Sequence, residues 1–438
     1  MTLILPQVRE LFSRDGRFKR WLRVEAALAN AQAKLGIIPE HIARDIDEAA
    51  HVEKLDLGRY DELYERTGHP MMAMLRLLEV AAGPESGQYI HLGATTQDIM
   101  DTAMVLALKE MFDLTRSKLV SIQNSVLNLC EKHADTPMIG RTHNVQALPI
   151  TFGYKAAVWA DELERCIQRL DQSRERILAL QLSGAVGSMV SFGNDGPAIQ
   201  EKMAEELGIN VPAISWHASR DRLAEFVGNL ALIGGCLGRI AQEVYLLMGT
   251  EFGELSEPWA EGKVGSSTMP HKINPTSTQH MMSLARDIRY HNAAVLEMMC
   301  VDHERNIMHF VGEREHIEEC CVAAGELLDR ADELMAGLQV NEANMLANLN
   351  RLGGLTQSEN VMLELGHKIG KQHAHELVNK IAVGAFLNGK NFEEELKKNK
   401  TVMDALDPEH IHDLLDPMQY IGACPELARQ IARKLRKE

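Results

Sequence analysis

Residues 219–249 read SRDRLAEFVGNLALIGGCLGRIAQEVYLLMG, and the spacing inside that stretch decides the fold class. Apolar side chains fall at Phe226, Leu230, Ile233, Leu237, Ile240, Val244 and Leu247, alternately four and three residues apart. Residues at those intervals share one face of a 3.6-residue turn, so the run is the seam of a helix packed lengthwise against others. Ser219 and Asp221 offer caps before the seam, and Gly249 or Gly253 can end it. The spacing predicts a helix of about 28 residues, ~42 Å long at 1.5 Å per residue.

Two further seams repeat the pattern. One runs Leu108, Phe112, Thr115, Leu119, Ile122, Val126, Leu129; another, over residues 155–182, carries Leu163, Ile167, Leu170 and Ile177. Glycine- and proline-bearing stretches, GRTHNVQALP at 140–149 and SGAVGSMVSFGNDGP at 183–197, separate the helices. Strand signals are sparse. The expectation is an all-α fold built on an elongated antiparallel bundle. Three helical domains are expected: residues 1–93, a long-helix domain at 94–345, and a smaller one at 346–438, opened by RLGGLTQSEN. Seams of this length commonly continue into a bundle between subunits, so an oligomer is expected.

The bulk numbers narrow the function. The chain has 438 residues, 45% hydrophobic and 25% charged, with a formal charge of −16. It lacks the basic footprint of a nucleic-acid binder, although a local cluster of cations can still hold a small anion. The opening MTLILPQVRELF is too short an apolar patch for a secretion signal, and no run of ~18 uninterrupted apolar residues predicts a membrane span. Seven scattered cysteines, with no CxxC pair, suit a reducing cytoplasm. Residues 384–391, GAFLNGKN, nearly spell a phosphate loop but end in asparagine after no apolar strand. His303, His309, His316 and the pair His373/His375 give no closed Cys/His spacing, so neither metal nor cofactor is expected.

Three loops carry the chemistry. Residues 265–275, GSSTMPHKINP, set hydroxyls, a lysine and an asparagine among a glycine and two prolines, and the prolines forbid a continuous helix. Residues 140–146, GRTHNVQ, place a histidine in a turn. Residues 91–103, HLGATTQDIMDTA, place Thr95 or Thr96 as a helix cap with Asp98 in the first turn, and a helix N-terminus is a natural seat for a carboxylate.

The first of these resembles, at every defining position, the signature loop GSSxMPxKxNP of the fumarase/aspartase superfamily. The resemblance extends over nearly the whole chain. It implies a cofactor-free homotetrameric lyase acting on a small anionic dicarboxylate, with each active site assembled from loops of three subunits. On that resemblance Ser266 is the base, while Lys272 and Asn274 hold a substrate carboxylate. GRTHNVQALP is similar to a stretch of adenylosuccinate lyases whose histidine protonates the leaving nitrogen, which makes His143 the general acid with Thr142 beside the substrate. Thr95, Thr96 and Gln97 would line the carboxylate, and His69, Ser188 and Arg305 fall at supporting positions. The residue types suit the reaction. Removing a proton next to a carboxylate builds a doubly charged intermediate, so fixed donors must wait where that charge grows. A serine base needs oriented amides, a lysine and exclusion of water.

The branch is mixed. SGAVGS, SWHASRDRLAEF and TEFGELSEP look most like carboxymuconate cycloisomerases, yet bacterial members of that branch typically lack a histidine where His143 stands. Against adenylosuccinate lyases, ERNIMHFVGER at 304–314 puts Met308, Phe310 and Val311 where serines grip a phosphate, which disfavours a nucleotide. Gln279 replaces a glutamate that many members pair with the acid histidine. The expected function is anti β-elimination from an N- or O-substituted succinyl substrate, releasing fumarate or a substituted fumarate. The alternatives are lactonisation of a 3-carboxymuconate and a non-catalytic helical scaffold.

Overall fold

The protein is described here by a computed structural model covering residues 2–259, 268–269 and 271–436. It is 73% helical with little strand, as the seams predict. The elements that matter for the site are α1 (Arg14–Lys34), α2 (Pro70–Ser86), α3 (Thr96–Lys132), β1 (Pro137–Thr142), β2 (Val145–Thr151), α4 (Phe152–Ile177), α5 (Asp221–Leu247), α6 (Thr276–Glu297) and α7 (Ile307–Gly337).

The seam that decides the class is helix α5, 27 residues long. None of its seven seam residues is more than 3% exposed. By length and composition α5 could cross a membrane, but 56% of its most apolar window is already buried within the protein, as in a core helix. The second seam lies along α3, where Leu108, Phe112, Thr115, Leu119, Ile122 and Val126 are all buried. The third helix differs from expectation. It ends at Ile177, not Leu182, because residues 178–180 turn extended and trade backbone hydrogen bonds with Asn210 (Leu180 N to Asn210 O and Asn210 N to Leu178 O, both 2.8 Å). Asn210 also donates to the Glu175 carbonyl at 2.9 Å, which satisfies part of the exposed helix end.

The described chain packs as two compact units. Unit 1 comprises residues 1–119, 166–237 and 283–329; unit 2 comprises 120–165, 238–282 and 330–438. Unit 1 has an apolar core in which α1 and α2 pack Phe18, Trp21, Leu22, Met71 and Met74 against Ile99, Leu182 and Ile199. Ser13 caps α1, accepting from Gly16 N at 3.0 Å. A buried pair, Lys118 with Asp329 at 3.0 Å, ties α3 to α7 within this unit, and Asp329 also accepts from the backbone of Ile4 and Leu5.

Unit 2 holds a separate apolar cluster, including Val361, Phe392 and Ile411, in the C-terminal helices. It also contains the principal departure from an all-helical reading. The stretch GRTHNVQALP is a β-hairpin, β1 paired antiparallel to β2, with Thr142 opposite Val145. The two turn residues, His143 and Asn144, have φ of 53° and 62°. Two consecutive residues in that region make the type I′ turn whose twist matches paired strands.

Candidate active site

In unit 1 the site begins at the N-terminus of α3. Thr95 precedes the first helical residue, and Asp98 in the first turn reaches back to accept from Thr95 N at 3.0 Å, one half of a capping box. Asp98 does more than cap. Its second oxygen and the rest of the first also accept from Ser183 N (2.9 Å), Gly184 N (2.9 Å) and His217 Nε2 (2.8 Å). One fully buried carboxylate thus fixes three segments distant in sequence: HLGATTQD, SGAVGS and SWHASR. Gly93 enters this turn at φ 85°, and a Cβ there would lie 2.6 Å from the Phe192 ring, so only glycine fits.

Below that frame lies a buried ion cluster. Arg220 is 1% exposed and forks onto Asp101 at 2.8 and 3.0 Å and onto Glu313 at 3.0 Å. Its guanidinium sits over Trp216 and Phe310, 5.3 and 4.8 Å from the ring centroids. Burial works against every charge here, yet Arg220 holds the Asp101 carboxyl below its usual range, while burial pushes Glu313 up. The cluster fixes the start of α7, and with it Phe310 and Arg314.

These elements enclose a cavity of about 580 Å³, a size suited to a small ligand. Five of the residues expected at the site from sequence, His69, Thr95, Thr96, Gln97 and Arg305, line it. Arg305 donates to Thr95 Oγ1 at 2.6 Å and Arg314 to Gln97 Oε1 at 3.3 Å. Arg17 crosses to Glu318 at 2.9 Å. Ile307, Phe310 and Val311 form an apolar side, and Met100 adds to it. Of the three residues standing in the serine positions, Phe310 and Val311 do face the cavity, whereas Met308 is exposed and not part of its lining.

The cavity's nitrogens are short of acceptors. Arg17 Nε, His69 Nδ1 and Arg314 Nε are buried with no hydrogen-bond partner. An unpaired buried polar group costs ~1–3 kcal/mol, so such a set is held ready for a ligand that brings oxygens. The electrostatics agree. Burial pushes Arg314 below its ordinary value and Glu318 above, and it pushes His69 down with Arg314 and Arg305 adding to the effect. A carboxylate entering here relieves crowded positive charge.

Unit 2 presents the second group. His143 is exposed at the hairpin tip, in a backbone region that bulky residues rarely adopt and that clusters at functional sites. The hairpin is anchored by Arg141, which makes a bidentate pair with the fully buried Glu254 at 3.0 and 2.6 Å and lies over the Phe252 ring. Thr142 is exposed next to the tip, and Gln146 donates to the Asn348 carbonyl at 3.0 Å. Glu257, also buried, accepts from Thr278 N at 2.8 Å and Ser277 N at 3.2 Å, which seats the first turn of α6 just past the signature loop. Lys272 is exposed and Asn274 half-buried on that approach, and Gln279 is exposed on the first turn. Ser266 lies outside the described residues. Ser188 belongs to unit 1, where it is exposed in the 183–189 loop and outside the cavity lining.

Sequence reasoning missed Arg17, Tyr64 and Glu318 in the cavity and the frame of Asp98, His217, Arg220 and Glu313. Asp98 alone left a trace, as the acid in the first turn of GATTQD. Arg17, Tyr64, Glu313 and Glu318 sit on helices whose local pattern is ordinary, and His217 and Arg220 lie in the irregular stretch just before α5.

A family profile described as Lyase matches residues 2–289, and one described as Adenylosuccinate lyase C-terminus matches 354–431. N-acetyl-S-(2-succino)cysteine lyase of Dickeya dadantii is 39% identical over 430 residues, covering 98% of this chain and 94% of the relative. Adenylosuccinate lyase of Methanocaldococcus jannaschii is 36% identical over 436 residues, covering 99% and 94%. Among solved structures, the 3-carboxy-cis,cis-muconate lactonizing enzyme from Pseudomonas putida matches with a TM-score of 0.92 at 33% identity, over 99% of this chain and 97% of that one.

Proposed function

The chain belongs to the fumarase/aspartase superfamily of lyases, and on that premise we propose that it releases fumarate from a succinyl thioether of the N-acetyl-S-(2-succino)cysteine type. The observation that carries this choice is the mixed cavity of unit 1. Unpaired nitrogens of Arg17, His69 and Arg314 offer seats for carboxylates, while Ile307, Phe310 and Val311 present apolar surface. A nucleotide phosphate would meet that apolar side without hydroxyl donors, at a desolvation cost. A thioether and a small acyl group would not.

In this reading Ser266 removes the proton from the methylene carbon of the succinyl group. The electron pair becomes the new C=C bond, the C–S bond breaks, and His143 delivers a proton to the departing sulfur. The products are fumarate and a free thiol. Lys272, Asn274, Thr95, Thr96 and Gln97 hold the carboxylates whose charge grows in the transition state. The leaving group makes the neutral Gln279 tolerable. A thiol of pKa about 8.5 departs with little help, so His143 needs no glutamate to strengthen it. His69, Arg305, Thr142 and Ser188 are assigned to substrate binding. The working form is a homotetramer with active sites shared between copies, housed in the cytoplasm, which suits seven free cysteines.

The test is fumarate release by the full-length protein from N-acetyl-S-(2-succino)cysteine, beside matched N- and O-succinyl compounds. Turnover of the thioether that is abolished in Ser266→Ala supports the reading; no release from any of the three overturns it. Similarity to the Pseudomonas putida enzyme favours one rival, lactonisation of a carboxymuconate. That rival predicts turnover of 3-carboxymuconate indifferent to His143→Ala.

A further inference from the structure

A second cluster of reactive side chains lies in unit 1, outside the cavity lining. His291 on α6 and His316 and Glu319 on α7 converge, and their ligand atoms all lie within 4.8 Å of one another. His291 Nδ1 is 3.2 Å from His316 Nδ1 and 3.7 Å from a Glu319 carboxylate oxygen. None of the three lines the cavity. Among the described residues this is the one group of histidine, cysteine and carboxylate atoms so arranged.

We infer that His291, His316 and Glu319 bind a divalent transition-metal ion of the zinc class, bridging α6 to α7. Zinc–nitrogen bonds are about 2.0–2.1 Å long. An ion at that distance from two nitrogens 3.2 Å apart makes an N–metal–N angle of roughly 100°, near the tetrahedral value. The helices supply the rest. His316 and Glu319 are three apart on α7 and so share a face. On α6, Asp287 stands four residues before His291, again on one face, and its charge acts on that ring. A water completes four-fold coordination, with Asp287 a nearby charge outside the converging group. Two imidazoles favour zinc, cobalt or nickel over magnesium or calcium, which prefer oxygen alone.

Ligation requires unprotonated rings. Burial pushes His291 below the ordinary histidine value, with Glu319 and Asp287 opposing and His316 reinforcing. Glu319 is exposed and the histidines half-buried, so an ion has a way in. Local sequence could not reveal the site, because its ligands come from two helices and only the pair on α7 is close in sequence.

The experiment uses the full-length protein, stripped with a chelator and desalted, then titrated with Co²⁺ alone. Visible absorption reports coordination and calorimetry reports stoichiometry. One Co²⁺ per chain is expected, with a raised melting temperature. His291→Ala and His316→Ala should each weaken binding more than about 100-fold, since even outer-shell partners are worth 10–100-fold. Glu319→Gln, a change at an exposed position that leaves packing intact, should weaken it at least about 10-fold. His373→Ala, on an exposed helix face of unit 2, should bind as the parent does. Absence of stoichiometric Co²⁺ binding overturns the proposal, as does binding that survives in the His291/His316 double variant. In either case the two rings merely share a hydrogen bond.

Discussion

Replacing Asp98 by asparagine changes one atom and removes one charge at the best-buried junction of unit 1. The carboxylate accepts from Thr95 N and Gly184 N on one oxygen and from Ser183 N and His217 Nε2 on the other. An asparagine there has one acceptor and one donor group. Its best orientation points the oxygen at Thr95 and Gly184 and the amide at His217, whose tautomer must switch to accept. Ser183 N–H is then buried facing an N–H. An orphaned buried donor costs ~1–3 kcal/mol, and each of the two surviving bonds falls from charge-assisted to neutral, a further ~1 kcal/mol apiece. The sum is about 3–5 kcal/mol. For a unit of this size each kcal/mol moves the melting temperature by roughly 2–4 °C, so a drop of around 10 °C is expected in a thermal scan of the assembled protein. The loops carrying Thr95 and Ser183 lose their common anchor, and a misplacement near 1 Å lowers kcat/KM by about 100-fold. A variant that melts within 2 °C of the parent with unchanged kcat/KM refutes the reasoning, because a carboxylate with four donors cannot be so cheaply replaced.

Other outcomes follow from the same geometry. Arg220→Met strands Asp101 and Glu313 in a buried setting and should cost about 3–5 kcal/mol in unfolding free energy, whereas Arg220→Met combined with Asp101→Asn and Glu313→Gln should recover part of it. For His91, burial lowers the pKa, but the 2.7 Å bond and charge of Glu25, with Asp98, outweigh it and the net value is raised. Stability from this pair is therefore fully present below the unfolded histidine value of about 6.5 and is lost as pH rises through the folded one; melting scans across that range should slope less in His91→Gln. Val311→Ser, at a half-exposed position of the cavity wall, should leave the melting temperature unchanged and lower kcat/KM for the thioether about 5-fold, the equivalent of ~1 kcal/mol of apolar contact read from steady-state kinetics.

The long helices were legible because a seam such as Phe226 to Leu247 records its burial in its spacing. The hairpin at residues 137–151 was not. Its turn is His143–Asn144, without the glycine that usually announces a type I′ turn, and its strands hold polar residues where alternation would show. The early end of α4 was invisible for a similar reason: the pairing of residues 178–180 with Asn210 is tertiary, and helix propensity within the segment does not contain it. The candidate site divides along the same line. Residues grouped in loops, such as Thr95, Thr96 and Gln97, could be read from the chain. Arg17 and Glu318 meet in the cavity across some 300 residues and leave no local mark.

That division has a physical cause. Groups that touch a ligand must project from loops or helix ends, where the backbone also offers free donors, so they gather in short irregular stretches. Groups that hold those loops still do better when fully buried, where each side chain keeps one rotamer and the low dielectric strengthens each bond. Asp98 belongs to both sets. Its position in the first turn of α3 puts it beside Thr95, and its burial lets it govern Ser183, Gly184 and His217. The cavity's readiness for anions depends on this arrangement, because donors left unpaired at Arg17 and Arg314 stay in place only while the helices bearing them cannot relax toward one another.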